Sequence, residues 1–383
     1  MMLAPAPPHA GRPTPDLPTQ PPVRPHVLGL ALGFAGITLV LAGVLLLPDP
    51  ALGPVFLVAL LLGAAFVLFD FGFAGGFRAL QLEGDGRAMA ASFLIPAIAA
   101  LVILPLGSLA EGYGRFVAPI GAPLLLGALL FGIGMQIANG CGSGVLVAAG
   151  QGSRRMWVAL PCFCLGGVLG SLALPMGLAL PDLGHADLVA WLGPWGALPA
   201  TLALLGLGAA LLLRGRRPER RQIRAAAVVG LLAGLLFLAS GLPWGITTGL
   251  TLWAAQVMQA LGLDMAGLPF WSEGWARAAL AGPLLANHTS LSDFGLLLGA
   301  LVAAAASGQL RHAVKLGARG TAGAVLGGLL LGFGARLSFG CNIGAFIGGT
   351  ASGSLHGFVW LLAVLPGSWI GIRLRPFFGL PRR

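Results

Sequence analysis

The stretch "GALLFGIGMQIANGCGSG" at 127–144 decides the fold, because it returns as "GGLLLGFGARLSFGCNIG" at 327–344. The two stretches align without a gap at an offset of 200 residues, and eight of their 18 positions are identical. Each begins as an apolar segment and ends in the pattern Gly-Cys-x-x-Gly. The chain therefore contains an internal repeat, with one cysteine at the equivalent position of each copy.

The composition places this repeat in a membrane. Hydrophobic residues make up 57% of the 383 residues and charged residues only 9%, whereas about a quarter of a soluble domain is charged. A spanning helix needs about 20 apolar residues, and the apolar segments predict roughly nine to twelve crossings. The predicted fold class is an all-α polytopic membrane protein. The segments lie near 27–47, 51–69, 88–109, 116–138, 155–179, 188–213, 225–241, 245–262, 292–308, 320–339 and 357–374.

The net charge of +10 does not indicate a nucleic-acid partner, because the basic residues fall in short runs between apolar segments. Basic loops of membrane proteins face the cytoplasm. The run "RGRRPERRQIR" at 214–224 is the clearest anchor, and 311–319 and 373–383 are also basic. The loop "PDLGHADL" at 181–188 has no Lys or Arg and should lie outside. Both termini are therefore predicted to be cytoplasmic.

This charge pattern divides the chain and orients the repeat. Arg154 and Arg155 follow the first cysteine stretch, whereas the basic loop at 311–319 precedes the second. The two cysteine-bearing helices should run in opposite directions, as in inverted-repeat transporters, whose substrate sites lie on broken helices near the midplane. The predicted parts are a disordered Pro-rich cytoplasmic tail (1–25), a first membrane half (26–213), a basic cytoplasmic loop (214–224) and a second membrane half (225–383).

The glycine-rich stretches themselves suggest an anion site. Three glycines within "GCGSG" disfavour a continuous helix, and broken backbone at membrane depth must line a cavity or be buried in protein. The short apolar runs that follow would form half-helices, whose N-terminal N–H groups attract an anion. A thiol is a weak, soft donor that suits a sulfur-terminated anion. The candidate substrate-binding residues are Cys141, Cys341, Gly140, Gly142, Gly144, Gly340, Gly344, Asn139, Asn342 and Arg336.

Simpler interpretations stay open for several polar residues. A single buried cysteine is often only a small apolar side chain, and this interpretation is preferred for Cys162 and Cys164. Arg336 occupies the place equivalent to Gln136 and could serve the substrate, or could form a structural charge pair with Asp70 or Asp293. Asn139 and Asn342 could donate to an anion or cap the half-helices. His356 could gate the path or be an ordinary outer-loop histidine.

At these residues the chain resembles the YeeE/YedE family of sulfur-transport membrane proteins. The resemblance rests on stretches across nearly the whole membrane portion. They are "FGFAGGFRALQLEGDGR" (71–87), "FGIGMQIANGCGSG" (131–144), "GLPWGITTGLTLW" (241–253), "SLSDFGLLLGA" (290–300) and "GARLSFGCNIGAFIGGTASGSLHGFVW" (334–360).

The resemblance implies a bacterial inner-membrane importer of thiosulfate or a related sulfur anion. It also implies two intertwined inverted halves that meet at a central constriction, where S–H···S hydrogen bonds pass the substrate between Cys141 and Cys341. A cytoplasmic sulfur-carrier protein could receive the anion. Many relatives carry a third cysteine shortly before "FR", and here Gly72 is nearest to that place.

The expected protein is a transporter and not an enzyme, and no cofactor or metal is expected. Alternatives are a transporter of a selenium species, a membrane thiol oxidoreductase that uses the cysteine pair, a soft-metal importer, and a structural subunit of a larger complex.

Overall fold

The computed structural model describes residues 25–310 and 316–382. Its regular structure in these two ranges is helical, with no β-strand, which confirms the predicted all-α fold. The tail predicted at 1–25 lies outside these ranges except for its last residue. The helices are α1 Val27–Leu45, α2 Leu52–Leu68, α3 Phe73–Glu83, α4 Arg87–Ser92, α5 Leu94–Leu109, α6 Ala122–Ala138, α7 Gly142–Gly150, α8 Arg154–Leu178, α9 Leu188–Leu213, α10 Arg220–Ser240, α11 Thr247–Ala260, α12 Gly274–Ala281, α13 His288–Ala306, α14 Ala318–Leu337, α15 Gly349–Ala351 and α16 His356–Leu374.

Within the described ranges, ten helical stretches are long and apolar enough to cross a bilayer, which agrees with the predicted count. Many large apolar side chains point outward from these stretches, among them Leu39, Leu45 and Leu211. Exposed apolar surface of this extent is unfavourable in water but matches lipid tails. The outer surface of the helices is therefore the lipid-facing surface of a membrane protein.

One predicted segment, 245–262, does not span. The helix found there, α11, has 14 residues and is about 21 Å long at 1.5 Å per residue, against a hydrocarbon core of about 30 Å. It follows a non-helical turn in which Trp244 is buried, and it ends before Gly262, whose φ is +89°. The prediction overestimated this segment, because three threonines and two glutamines make α11 less apolar than spanning helices such as α1 and α2.

Both repeat stretches break at their cysteines, as predicted. In the first, α6 ends at Ala138 and Asn139 adopts a left-handed conformation with φ +71° before α7 begins. In the second, Phe339 and Gly340 have φ values of +59° and +155°, and a Cβ on Gly340 would lie 2.5 Å from the Ala345 amide nitrogen. A π-helical segment, Asn342–Gly348, then runs into α15.

The two repeat helices α6 and α14 pack closely through glycines and run antiparallel. A Cβ on Gly127 would lie 2.5 Å from Ser338 N, and one on Gly134 would lie 2.8 Å from Leu331 N. Residue numbers therefore rise along one helix while they fall along the other. Small residues allow such close backbone approach between helices in membranes. In addition, α6 packs against α16 and α14 packs against α8.

The loop at 181–188, which was predicted to lie outside, is fixed by an ion pair. Arg115 donates to both carboxylate oxygens of Asp187 at 2.7 and 2.8 Å, and to the Ser352 carbonyl at 3.1 Å. Burial raises the pKa of the Asp187 carboxyl, but hydrogen bonds from Arg115 and the Val189 N–H outweigh it and hold that pKa below its usual range. This loop thereby connects to the chain that follows the second cysteine stretch.

One boundary among the predicted parts differs in the structure. The basic run at 214–224 is only partly a loop. Its second half forms the start of α10, because the Gln222 side chain accepts a hydrogen bond from the Glu219 N–H at 3.0 Å and caps the helix.

Candidate functional site

Cys141 caps the first half-helix. It occupies the N-cap of α7, its side chain is 1% exposed, and its sulfur accepts a hydrogen bond from the Gly144 N–H at 3.4 Å. Ser143 Oγ also lies 3.4 Å from the sulfur. A sulfur that accepts from the helix still keeps its own S–H as a donor. The thiol can therefore offer a hydrogen bond to a ligand without giving up the helix cap.

Cys341 repeats this arrangement in the second half. It is the N-cap residue of the π-helical segment, it is fully buried, and its sulfur accepts from the Ile343 N–H at 3.4 Å. The half-helices are therefore capped by the two thiols and not by Asn139 or Asn342, whose proposed capping role is wrong. Both cysteines are free thiols.

The two cysteine loops meet. A Cβ on Gly142, the residue after Cys141, would lie 2.9 Å from Cys341 Sγ and 3.9 Å from the Phe163 ring.

The other glycines of the two motifs differ in how closely they are surrounded. A Cβ on Gly140 would lie 3.4 Å from Met156 Sδ, one on Gly144 would lie 3.3 Å from Cys141 Sγ, and one on Gly344 would touch nothing closer than 4.0 Å.

Asn342 opens this junction to a cavity. The cavity, of about 190 Å³, lies between the break before α3, the start of α10 and the second cysteine loop, and Gly72, Arg221, Asn342 and Phe346 are among its lining residues. Asn342 is 1% exposed, and neither its amide nitrogen nor its oxygen has a partner among the described residues. A buried amide without partners is costly, so this side chain is available to a ligand.

Asn139 has a different setting from Asn342. Its side-chain oxygen accepts hydrogen bonds from Arg375 Nη1 at 3.0 Å and Arg78 Nη1 at 3.4 Å. Arg375 also donates to the Gln136 carbonyl, and Arg155 donates to the carbonyls of Ala138 and Ile137. Three arginines thus neutralise the carbonyl end of α6, where the helix dipole is negative. The structure therefore surrounds Asn139 with cations and does not place it as a free donor.

Arg336 forms no ion pair with Asp70 or Asp293, the two acids expected as its possible partners. It donates to Ser171 Oγ at 3.1 Å, and its guanidinium carbon lies 3.8 Å from the centre of the Phe270 ring. Asp70 lies 4.0 Å from Arg221, and Asp293 has no partner among the described residues. The charge-pair interpretation of Arg336 is therefore wrong, and a stacked cation takes its place.

Sequence reasoning missed several polar groups around the junction. The arginine group at α6 was not found, although intramembrane basic residues were a usable signal. His356 was named from the sequence, but it is not an ordinary loop histidine: it begins α16 and is fully buried, and its Nδ1 lies 2.7 Å from Ser354 Oγ. Ser143 is buried beside Cys141. Arg78 and Arg375 reach Asn139 from 61 and 236 positions away, so no local pattern reveals their contacts. Ser354 and Ser143, in contrast, each lie two residues from their partners.

Comparison with known proteins identifies the kind of membrane protein. The profile of the family described as Sulphur transport matches residues 70–370 of the chain. This range contains both cysteine loops, the arginine group except Arg375, and every residue that lines the cavity except Phe69.

Three similar proteins extend this comparison. "Probable transporter YedE" of Salmonella typhimurium (strain LT2) is 32% identical over 162 residues, which cover 41% of this chain and 39% of that protein. "Probable transporter YedE" of Escherichia coli (strain K12) is 30% identical over 164 residues, 42% of this chain and 39% of that protein. "Thiosulfate transporter TsuA" of Spirochaeta thermophila is 27% identical over 241 residues, 55% of this chain and 64% of that protein. The chain thus spans between 39% and 64% of the curated relatives that it matches.

Proposed function

The chain belongs to the Sulphur transport family, and on this premise we propose that it imports thiosulfate or a closely related sulfur anion across the bacterial inner membrane. The observation that carries the proposal is the contact between the two cysteine loops. Both thiols cap half-helices, and Cys341 Sγ lies against Gly142, the residue next to Cys141. The name of one relative, a thiosulfate transporter, supports the substrate class.

The chemistry of the junction suits a soft dianion. The terminal sulfur of thiosulfate is a weak, polarizable acceptor, and a thiol S–H is a weak, soft donor. Helix N-termini add positive potential without adding a full charge that would hold the anion too tightly. In our proposal the anion passes from one thiol to the other by S–H···S hydrogen bonds, and no covalent bond forms. No residue is assigned a catalytic role.

We further propose that the two halves form an inverted repeat around this junction. The antiparallel packing of α6 against α14 supports the proposal, because two copies of one motif in opposite orientation need antiparallel helices. The cavity at Asn342 would be the cytoplasmic exit, since the basic run at 214–224 contributes Arg221 to its lining. The termini would then be cytoplasmic, and a sulfur-carrier protein could receive the anion there.

Uptake measurements in sulfur-starved cells test the function. Cells that express the protein are offered labelled thiosulfate, sulfate and selenite in turn, and Cys141→Ser and Cys341→Ser are compared with the unaltered protein at equal membrane abundance. We expect uptake of thiosulfate alone, and its loss in both variants. Cys162→Ser is the matched control, because Cys162 lies on α8 outside the two motifs, and it should transport normally.

The remaining alternatives predict other results in the same experiment. A selenium transporter would take up selenite in preference to thiosulfate. A thiol oxidoreductase would form a disulfide between the two cysteines when substrate is added, and this would appear as lost thiol labelling in the denatured protein. Normal thiosulfate uptake by both serine variants would refute the passage between thiols.

A further inference from the structure

Asp293 is a buried carboxyl group without a partner. It lies on α13, its exposed fraction is 0%, and neither carboxylate oxygen has a hydrogen-bond partner among the described residues. The amide of Leu250 is close, but it already donates to the Ile246 carbonyl at 3.3 Å. An unpaired carboxylate inside a membrane is far more costly than the neutral acid. In this conformation the group is stable only with its proton.

Among the described residues, the elements that pack most closely against α13 contain no charge that could balance Asp293. The elements packed against α13 are α1, α2, α7, α11 and the turn Leu284–Ala286, and none of them contains Asp, Glu, Lys, Arg, His, Cys or Tyr. On α13 itself, His288 pairs with Asp49 at 2.9 Å.

The position of Asp293 connects it to the cysteine junction. Its Oδ2 fills the space beside Gly249 near the start of α11, so that any Cβ on Gly249 would collide with it. Helix α13, which carries Asp293, also packs against α7, the half-helix that Cys141 caps. In the low dielectric of a membrane interior, like charges repel strongly. An anion held at the cysteine junction and an ionised Asp293 therefore disfavour each other.

We propose that Asp293 is the binding site of a coupling proton, so that the protein is a proton–anion symporter. This inference rests on the proposed anion transport and names its coupling ion. Asp293 takes up a proton on the outer side, the anion then binds at Cys341, and both leave on the inner side, so that no covalent bond other than O–H is made or broken. Because linkage is reciprocal, each ligand strengthens the binding of the other. The co-transported proton also offsets the work that a dianion must do against a negative interior.

The test uses the purified full chain in liposomes, with the membrane potential clamped by potassium and valinomycin. Labelled thiosulfate and a trapped pH indicator are followed together under an inward proton gradient. With one proton per anion, the accumulation ratio should rise about tenfold for each unit of pH difference, and the lumen should acidify as thiosulfate enters. An imposed sodium gradient should have no effect.

The variant Asp293→Asn tests whether proton coupling can be lost while thiosulfate still crosses the membrane. It keeps the size of the side chain, and we expect accumulation that no longer depends on the proton gradient, while exchange of labelled for unlabelled thiosulfate persists. Asp264→Asn, on an exposed loop, is the control and should behave as the unaltered protein.

Three results would overturn the proposal. The unaltered protein could accumulate thiosulfate without lumen acidification, sodium could replace the proton gradient, or Asp293→Asn could keep the tenfold dependence. The first two need no variant, so they remain decisive if Asp293→Asn does not fold. If the unaltered protein does not even exchange thiosulfate, the proposed anion transport itself fails, and the coupling inference fails with it.

Discussion

Gly142 and Cys341 are in direct contact across the two halves of the molecule: a Cβ on Gly142 would lie 2.9 Å from Cys341 Sγ and 3.3 Å from Cys341 Cβ. This contact is asymmetric, because the repeat counterpart of Gly142 is Asn342, which lines the cavity. The junction therefore has one closely packed side and one open, polar side. In the proposed mechanism, the anion would pass between the thiols in this restricted space.

Gly142→Ala should reduce transport while the protein still folds. The added methyl group lies closer to Cys341 than carbon and sulfur normally approach, so the thiol must shift by a few tenths of an ångström. We expect thiosulfate uptake to fall by roughly tenfold, since a misplacement of about 1 Å in a binding site can cost about a hundredfold. Gly344→Ala is the control, because its Cβ would meet nothing closer than 4.0 Å. Equal uptake by both variants would contradict the assigned contact.

Replacing each cysteine by serine and by alanine distinguishes two roles of the side chain: capping the half-helix and offering a thiol to the substrate. Serine is a good N-cap residue and alanine a poor one, with a difference of about 1 kcal/mol. Cys141→Ser and Cys341→Ser should therefore keep the melting temperature in detergent, whereas Cys141→Ala and Cys341→Ala should lower it. All four should lose thiosulfate uptake. If the serine variants melt as early as the alanine variants, the sulfur atoms do not act as helix caps.

The fold class could be predicted from the sequence because its cause is compositional. Apolar runs, basic loops and glycine-rich breaks are local features, and they led to the spanning helices and to the breaks at Cys141 and Cys341. The lower hydropathy of α11, with its three threonines and two glutamines, was a usable signal that this segment differs from a spanning helix. Its exact ends were not predictable, because they depend on the turn with the buried Trp244 and on the positive φ of Gly262.

The candidate site was less predictable than the fold. The repeat pointed to both cysteines, but it could not show that Asn139 is held by arginines while Asn342 has no partner in the part of the chain that the structure describes. These two side chains have the same chemistry and similar local sequence. The difference arises from Arg78 and Arg375, which approach Asn139 from elsewhere in the chain.

Gly72→Cys should add a third thiol without disturbing the fold. Gly72 is exposed at the cavity, has an extended backbone with φ −166°, and a Cβ there would meet nothing within 4 Å. The new thiol should react with a water-soluble maleimide, whereas Cys141 and Cys341 are buried and should not. We expect thiosulfate uptake to be retained or increased before labelling, and blocked after it. Uptake that is unaffected by the label would show that the substrate does not pass this cavity.

Asn342→Leu should make the protein more stable and less active. Both polar atoms of Asn342 are buried without partners among the described residues, and an unsatisfied buried polar group costs about 1–3 kcal/mol. Leucine is similar in size and removes this cost, so the melting temperature should rise, as is common where a site trades stability for function. Thiosulfate uptake should fall, because the cavity loses the one amide that we assign to the anion. Ser143→Ala tests a different group, a buried hydroxyl next to the other thiol, and should leave the melting temperature unchanged or lower. If Asn342→Leu melts earlier than the unaltered protein, its amide has a structural partner and is not held ready for the substrate.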